Sequence, residues 1–300
     1  MILLALLVLA ATPADTQPSI WTPNRVYDTR HHRFADLESA AAELARDDVV
    51  FLGETHDDPA THRMELAVLE AVARRRSDVV LALEMFERDV QPALDAYLAG
   101  TISEDAFLKV SRPWPNYATD YRPLVEFARE HHWRVIAGNV PRRIAATVSS
   151  KGLDALKTLP DSERSRVATD IQCPHDDYFT RFVAAMGTHP MGDGPAPSKA
   201  ELGRMTATFY QAQCIKDETM AESVARLRGA APAPLVIHVN GDFHSDYGLG
   251  TAARVRRRLP HDRIAVVSML PVASLDTIDV KTPRKRGDWL VFVLGKAPSP

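Results

Sequence analysis

The stretch Val49-Val50-Phe51-Leu52-Gly53-Glu54-Thr55-His56 decides the fold. Four apolar residues in a row read as a short strand buried on both faces. A glycine, a carboxylate and an imidazole follow at once. The same arrangement returns at Leu235-Val236-Ile237-His238-Val239, where the run leads through Asn240 into Gly241-Asp242-Phe243-His244. Both motifs read Gly-x-x-His. A third run, Val79-Val80-Leu81-Ala82-Leu83, ends in Glu84. Ligands of open α/β sheets sit outside the carboxyl ends of the strands. Three strand ends that deliver His or Glu therefore point to a single pocket.

Working outward, strand-like and helix-like segments alternate. The spacing predicts helices over residues 37–46, 59–76, 89–111 and 123–132, and strands over 135–137, 264–269 and 289–294, with a weaker one over 277–280. Pro59 suits the first turn of its helix, and Met64, Ala67, Val68, Ala71 and Val72 have helical spacing. Residues 143–229 read as mostly helical, interrupted by a Gly- and Pro-rich loop over 187–198. The expected fold class is α/β, a mainly parallel central sheet with helices on both faces. The domain runs over residues 21–296, and 143–229 forms a helical insertion or lid.

Composition bounds the rest. The chain has 300 residues, 45% hydrophobic and 25% charged, which is ordinary for a globular protein. A net charge of -3 gives no case for nucleic acid, and the basic runs at 254–258 and 281–286 lack interleaved aromatics. Residues 2–11 are apolar and lead into Thr12-Pro13-Ala14, the pattern of a secretory signal peptide cleaved after residue 14. The run is too short to span a bilayer. The expectation is an exported protein of the periplasm or cell envelope. Cys173 and Cys214, the two cysteines, then invite a disulfide, although spacing does not decide whether they meet.

The candidate chemistry sits in the loops. Glu54 and His56 can bind a metal, move protons or hydrogen-bond a polar ligand. Asp57 and Asp58 suit the start of the helix at Pro59. Glu84 closes a buried strand, where a carboxylate is costly unless paired or facing a cleft; a salt bridge to Arg142 or Arg143 is the bland alternative. His244 ends the second motif, whereas His238 inside its strand reads as a core histidine. His62 lies on the helix after His56 and either shares the pocket or faces solvent. Arg142 at a strand end can hold a carboxylate or propionate bidentately, and is otherwise a solvated charge. Tyr121 and Met220 are of residue types that ligate haem iron. Walker, Gly-x-Gly-x-x-Gly, His-Glu-x-x-His, Gly-x-Ser-x-Gly and Cys-x-x-Cys-His motifs are all absent.

Taken in order, these residues resemble a known family. Gly53-Glu54-Thr55-His56-Asp57 with His62-Arg63, Leu83-Glu84-Met85-Phe86 with Gln91, Trp114 with Tyr121-Arg122-Pro123, Asn139-Val140-Pro141-Arg142, Ala212-Gln213 with Asp217-Glu218-Thr219-Met220-Ala221, and 241–244 resemble the ChaN-like haem-binding protein family. The resemblance implies a haem-binding envelope protein of haem and iron uptake or trafficking, with haem as cofactor and partner. It leaves peripheral membrane association and a homodimer open. His56, His62, Arg142, Tyr121 and Met220 become its cofactor-binding candidates. The wider superfamily, with Tiki-type metal-dependent proteases and erythromycin-esterase-like hydrolases, implies the alternative: a metal-dependent hydrolase with Glu54, His56, Glu84 and His244 as catalytic groups and a divalent ion on Glu54, His56 and His244. Two departures stand out. Thr61-His62 replaces the family's usual paired histidines, and no lipid-anchor cysteine follows the apolar leader, which implies a free rather than tethered protein.

Overall fold

Long β-branched and aliphatic runs bury best when neighbours cover both of their faces, and the apolar runs of this chain do so in one sheet. The computed structural model describes residues 22–187 and 198–295. The signal segment 1–14 and most of the Gly- and Pro-rich loop lie outside the described residues. In chain order the elements are β1 (Asn24–Asp28), β2 (Arg33–Ala35), α1 (Leu37–Leu44), β3 (Val49–Glu54), α2 (Pro59–Ala73), β4 (Val79–Glu87), α3 (Gln91–Leu98), α4 (Glu104–Ser111), α5 (Arg122–Glu130) and β5 (Arg134–Asn139). Then come α6 (Arg142–Lys151), α7 (Asp161–Arg164), α8 (Asp177–Gly187), α9 (Lys199–Arg228), β6 (Leu235–Gly241), α10 (Gly250–Arg258), β7 (Ile264–Val272) and β8 (Trp289–Leu294).

The strands form one eight-stranded sheet in the order β2-β1-β8-β7-β3-β6-β4-β5. From β8 to β5 all neighbours are parallel, whereas β1 runs antiparallel to both β2 and β8. β3 and β6 lie side by side in the centre, with Gly53 opposite Asn240 and Glu54 opposite Gly241. The two Gly-x-x-His motifs thus leave adjacent strands at the same edge. β4 flanks β6 and brings Glu84 to that edge.

Each face is covered by helices. Val50, Leu52, Leu81, Leu83, Ile237 and Val239 pack under α1, α2, α3 and α5. Phe51, Val80, Ala82 and Val236 point the other way, onto Ala221, Val224, Ala252 and Val255 of α9 and α10. Alternation along each strand decides the face. The same parity puts Glu84, His238 and Asn240 on the α9 side. The segment 143–229 accordingly divides: the second half of α9 is core, while α8 and the middle of α9 rise beyond the strand ends. Among the described residues, no helix is long and apolar enough to cross a membrane.

Two differences from the sequence reading are informative. Residues 277–280 form no strand; Ile278 and Val280 instead rest against Leu270, Leu290 and Phe292 on the sheet face. β1 and β2 had no periodic apolar signal, because β1 buries only Val26, Tyr27 and Asp28 and takes its place by backbone pairing to β8.

Candidate functional site

The site begins with two close approaches that only glycine permits. Gly53 stays within β3, and a Cβ there would lie 2.9 Å from the Ser245 hydroxyl and 3.2 Å from the Asp242 backbone. Its requirement is proximity to the β6 loop rather than a sharp turn. At Gly241 a Cβ would lie 2.6 Å from Cε1 and 2.7 Å from Nε2 of His56. The glycine of the second motif therefore lies against the histidine of the first.

His56 is held from behind. Glu54, at the end of β3 and 2% exposed, receives the His56 Nδ1 hydrogen at 2.5 Å and the Tyr121 hydroxyl at 3.0 Å. Asp58 caps α2 by accepting from the Ala60 and Thr61 amides, with Pro59 in the first turn, and this fixes the four-residue loop that carries His56. The ring packs edge-on against Trp114, and its side chain is 48% exposed. With Nδ1 committed, Nε2 is the nitrogen left for a ligand. Burial lowers the basicity of His56, but the Glu54 hydrogen bond and the nearby Glu84 charge outweigh it and raise the pKa to about 8.

His244 has the opposite situation. Its Nδ1 donates to Asp217 at 2.7 Å and its Nε2 to Glu84 at 3.1 Å. The Gln213 amide nitrogen lies 3.4 Å from both ring nitrogens, which places it over the ring. His244 is 6% exposed. Burial alone would disfavour its charge, yet Glu84 and Asp217 raise its pKa to about 10. Reciprocally, both carboxylates are held below their usual range despite burial, with His244 the largest opposing influence in each case. The Gly241 amide adds a bond to Glu84 at 2.9 Å, and the Thr251 hydroxyl one to Asp217 at 2.8 Å. His244 is thus a fixed imidazolium between two carboxylates.

His56, Glu84 and His244 open together on a cavity of about 880 Å³, within the range of roughly 300–1,000 Å³ common for small-molecule and cofactor sites. Trp114, Phe182, Met186 and Phe243 give it apolar walls, and Arg142 and Lys216 supply cations. Phe182 and Met186 come from α8, and Gln213, Lys216 and Asp217 from α9. Cys173 and Cys214 form a disulfide, with Cα atoms 5.5 Å apart, that ties the segment before α8 to α9.

The remaining candidates fall elsewhere. His62 is buried behind the cavity wall, with Nδ1 3.0 Å from Glu65 and Nε2 3.1 Å from the His56 carbonyl oxygen. Those bonds raise its pKa to about 9 against the effect of burial. Tyr121 is also behind His56, its hydroxyl spent on Glu54. Met220 is wholly buried and does not line the cavity. None of these three faces the ligand space, because each satisfies or fills the layer beneath it. Arg142 does line the cavity, and it lies 3.9 Å from Glu87 rather than pairing with Glu84. The structure does not bring Glu54, His56 and His244 together as a ligand set. Among the described residues no three His, Cys, Asp or Glu side chains are grouped to hold an ion, since both His244 nitrogens and the nearer Glu54 oxygen are already bonded. Asp217, Gln213 and Lys216 had not been singled out as site residues. Their i, i+3, i+4 spacing on one helix was the available signal.

Comparison with known proteins adds the family. The profile described as haem-binding uptake, Tiki superfamily, ChaN matches residues 40–255. A chloroplastic RETICULATA-RELATED 5 protein of Arabidopsis thaliana is 26% identical over 235 residues, 74% of this chain, which spans only 31% of that relative's length. The solved structure of cofacial haem binding to ChaN of Campylobacter jejuni has a TM-score of 0.64 at 16% identity, covering 91% of this chain and 97% of its own. That likeness is one of fold. An erythromycin esterase structure, at 13% identity over 86% of this chain and 78% of its own, reaches a TM-score of only 0.46 and carries no argument.

Proposed function

The chain belongs to the haem-binding ChaN family of the Tiki superfamily, and from that membership we propose that it binds haem in the cavity between α8, α9 and the strand ends. One observation carries the reading: the cavity combines apolar aromatic walls with an imidazole whose Nδ1 is locked to a buried carboxylate and whose Nε2 is uncommitted. Metal-ligating histidines are oriented by this arrangement, and the carboxylate also strengthens the nitrogen that faces the metal. Haem, when bound, would supply an iron that a histidine nitrogen can hold and a flat apolar ring suited to Trp114, Phe182 and Phe243. His56 would be the residue that holds the iron. His244 has no free nitrogen and acts as a buried charge that keeps Glu84 and Asp217 in place.

Haemin titration tests the reading. The wild-type protein should give a saturable Soret shift, His56→Ala should weaken binding at least about tenfold, and Glu54→Gln should weaken it about 10- to 100-fold by freeing the ring. The absence of any saturable change in the wild type would refute haem binding. An unchanged affinity in His56→Ala would move the iron ligand elsewhere.

The wider role we propose is haem uptake or trafficking at the cell envelope. The disulfide between Cys173 and Cys214 supports an oxidising compartment. Fractionation with intact-mass analysis tests this: the mature protein should be exported and lack residues 1–14, and a cytoplasmic protein retaining them would refute it.

A further inference from the structure

We propose that Arg142 and Lys216 form a clamp for the carboxylate arms of the ligand, at the mouth of a side chamber off the main cavity. The proposal rests on the haem reading and adds where the ligand's charged edge goes. The chamber is about 150 Å³, the volume of about five water molecules. That suits a carboxylate on a short aliphatic stem and excludes a second ring system. It shares Glu84, Trp114, Arg142 and Lys216 with the main cavity, so the two are continuous along that wall.

Two carboxylates line the chamber, Glu84 and Glu87, and each already has a cation other than Arg142 or Lys216. Glu84 shares the His244 imidazolium with Asp217 and also accepts the Gly241 amide. Glu87 pairs at 2.8 Å with Arg112, which it shares with Asp89. Arg142 has only the 3.9 Å approach to Glu87, with its side chain 70% exposed. Lys216 has no salt-bridge partner among the described residues. Asp57 and Asp120 line the main cavity but not the chamber. α6 begins at Arg142 with Pro141 as its N-cap and no side-chain cap, so the positive end of its dipole adds to the same sign.

Two cations at one end of an apolar cavity select an amphipathic ligand and orient it. The ring system lies against the aromatic walls, and the carboxylate arms turn toward the chamber. A guanidinium grips a carboxylate bidentately and an ammonium acts as a point charge.

Titrations of haemin and of its dimethyl ester, compared in the wild type and in Arg142→Gln/Lys216→Met, test the assignment. The wild type should bind haemin about tenfold more tightly than the ester, equivalent to about 1.4 kcal/mol. The double variant should bind haemin only as well as the wild type binds the ester. Thermal unfolding of the variant at the wild-type temperature would confirm an intact fold, as expected for partly exposed side chains. Equal wild-type binding of haemin and ester, or a preference that survives in the double variant, would overturn the clamp while leaving haem binding in place. Saturable binding of neither would remove the haem reading and the clamp together.

Discussion

The two Gly-x-x-His motifs have nearly the same local sequence and opposite electrostatic fates. His56 has one carboxylate partner, a half-exposed ring and one uncommitted nitrogen. His244 has two carboxylate partners, almost no exposure and no uncommitted nitrogen. The difference originates outside the motifs, in Asp217 of α9 and Glu84 of β4, which converge on one ring and not on the other. A histidine's chemistry is set by what occupies its second nitrogen, and here one ring is left for a ligand while the other is structural.

Removing each ring should separate these roles most sharply. His244→Ala leaves two buried carboxylates without their counter-charge, which typically costs about 3–5 kcal/mol. His56→Ala, at a half-exposed pair, should cost less than about 1 kcal/mol while losing haem affinity. Urea denaturation reads both, and equal losses would break the distinction. The disulfide comes next. Cys214 lies one turn before Asp217, so Cys173→Ser/Cys214→Ser loosens the α9 anchor of His244 and not the loop of His56. A loop closed across a separation of 41 residues should be worth about 2–4 kcal/mol, and His56-dependent haem binding should outlast that loss at low temperature. If haem binding disappeared while the fold persisted, the two regions would not be independent.

A third change joins the motifs. Gly241→Ala puts a methyl within 2.6 Å of the His56 ring, at an overpacking cost of about 1–3 kcal/mol. Haem affinity should fall with the ring displaced, and an unaltered Soret titration would show that the ring position is not needed. The smallest expected effect is in pH. Iron binding needs neutral His56, so haem affinity should rise through its pKa of about 8, by about tenfold per pH unit below it, and level off above. His244 remains charged throughout that range. Its folded pKa is raised, so its contribution to stability is complete below pH 6.5 and is lost as pH rises through about 10. Glu84 and Asp217 have lowered values, so their contribution is lost on acidification. His244→Ala should flatten the alkaline limb of stability against pH, and His56→Ala should flatten the haem profile.

Much of this was legible in residue order. Consecutive apolar runs ending in Gly, Glu and His fixed a parallel sheet with its chemistry at the carboxyl ends, because a strand buried on both faces must be apolar throughout and ligands gather where such strands stop. β1 and β2 were not legible, since these short strands at the margin of the sheet are held by backbone bonds that carry no side-chain signal. The strand expected at 277–280 failed for the converse reason: two apolar residues found a sheet face to cover without pairing.

For the site, sequence determined that His56, Glu84 and His244 would meet, because parallel strands of fixed direction deliver their last residues to one edge. It also determined the cap at Asp58 and the helix that follows, which depend on neighbours a few residues away. Only the tertiary structure decided which histidine is free, that Tyr121 and His62 lie behind the cavity, that Met220 is packed away from it, and that among the described residues no three ligands are grouped for a metal. Those outcomes depend on which carboxylates arrive from other elements: Asp217 from α9, 27 residues before His244, and Glu84 from β4, far earlier in the chain. A hydrogen bond of under 3 Å is made or missed by packing angles that local sequence does not encode.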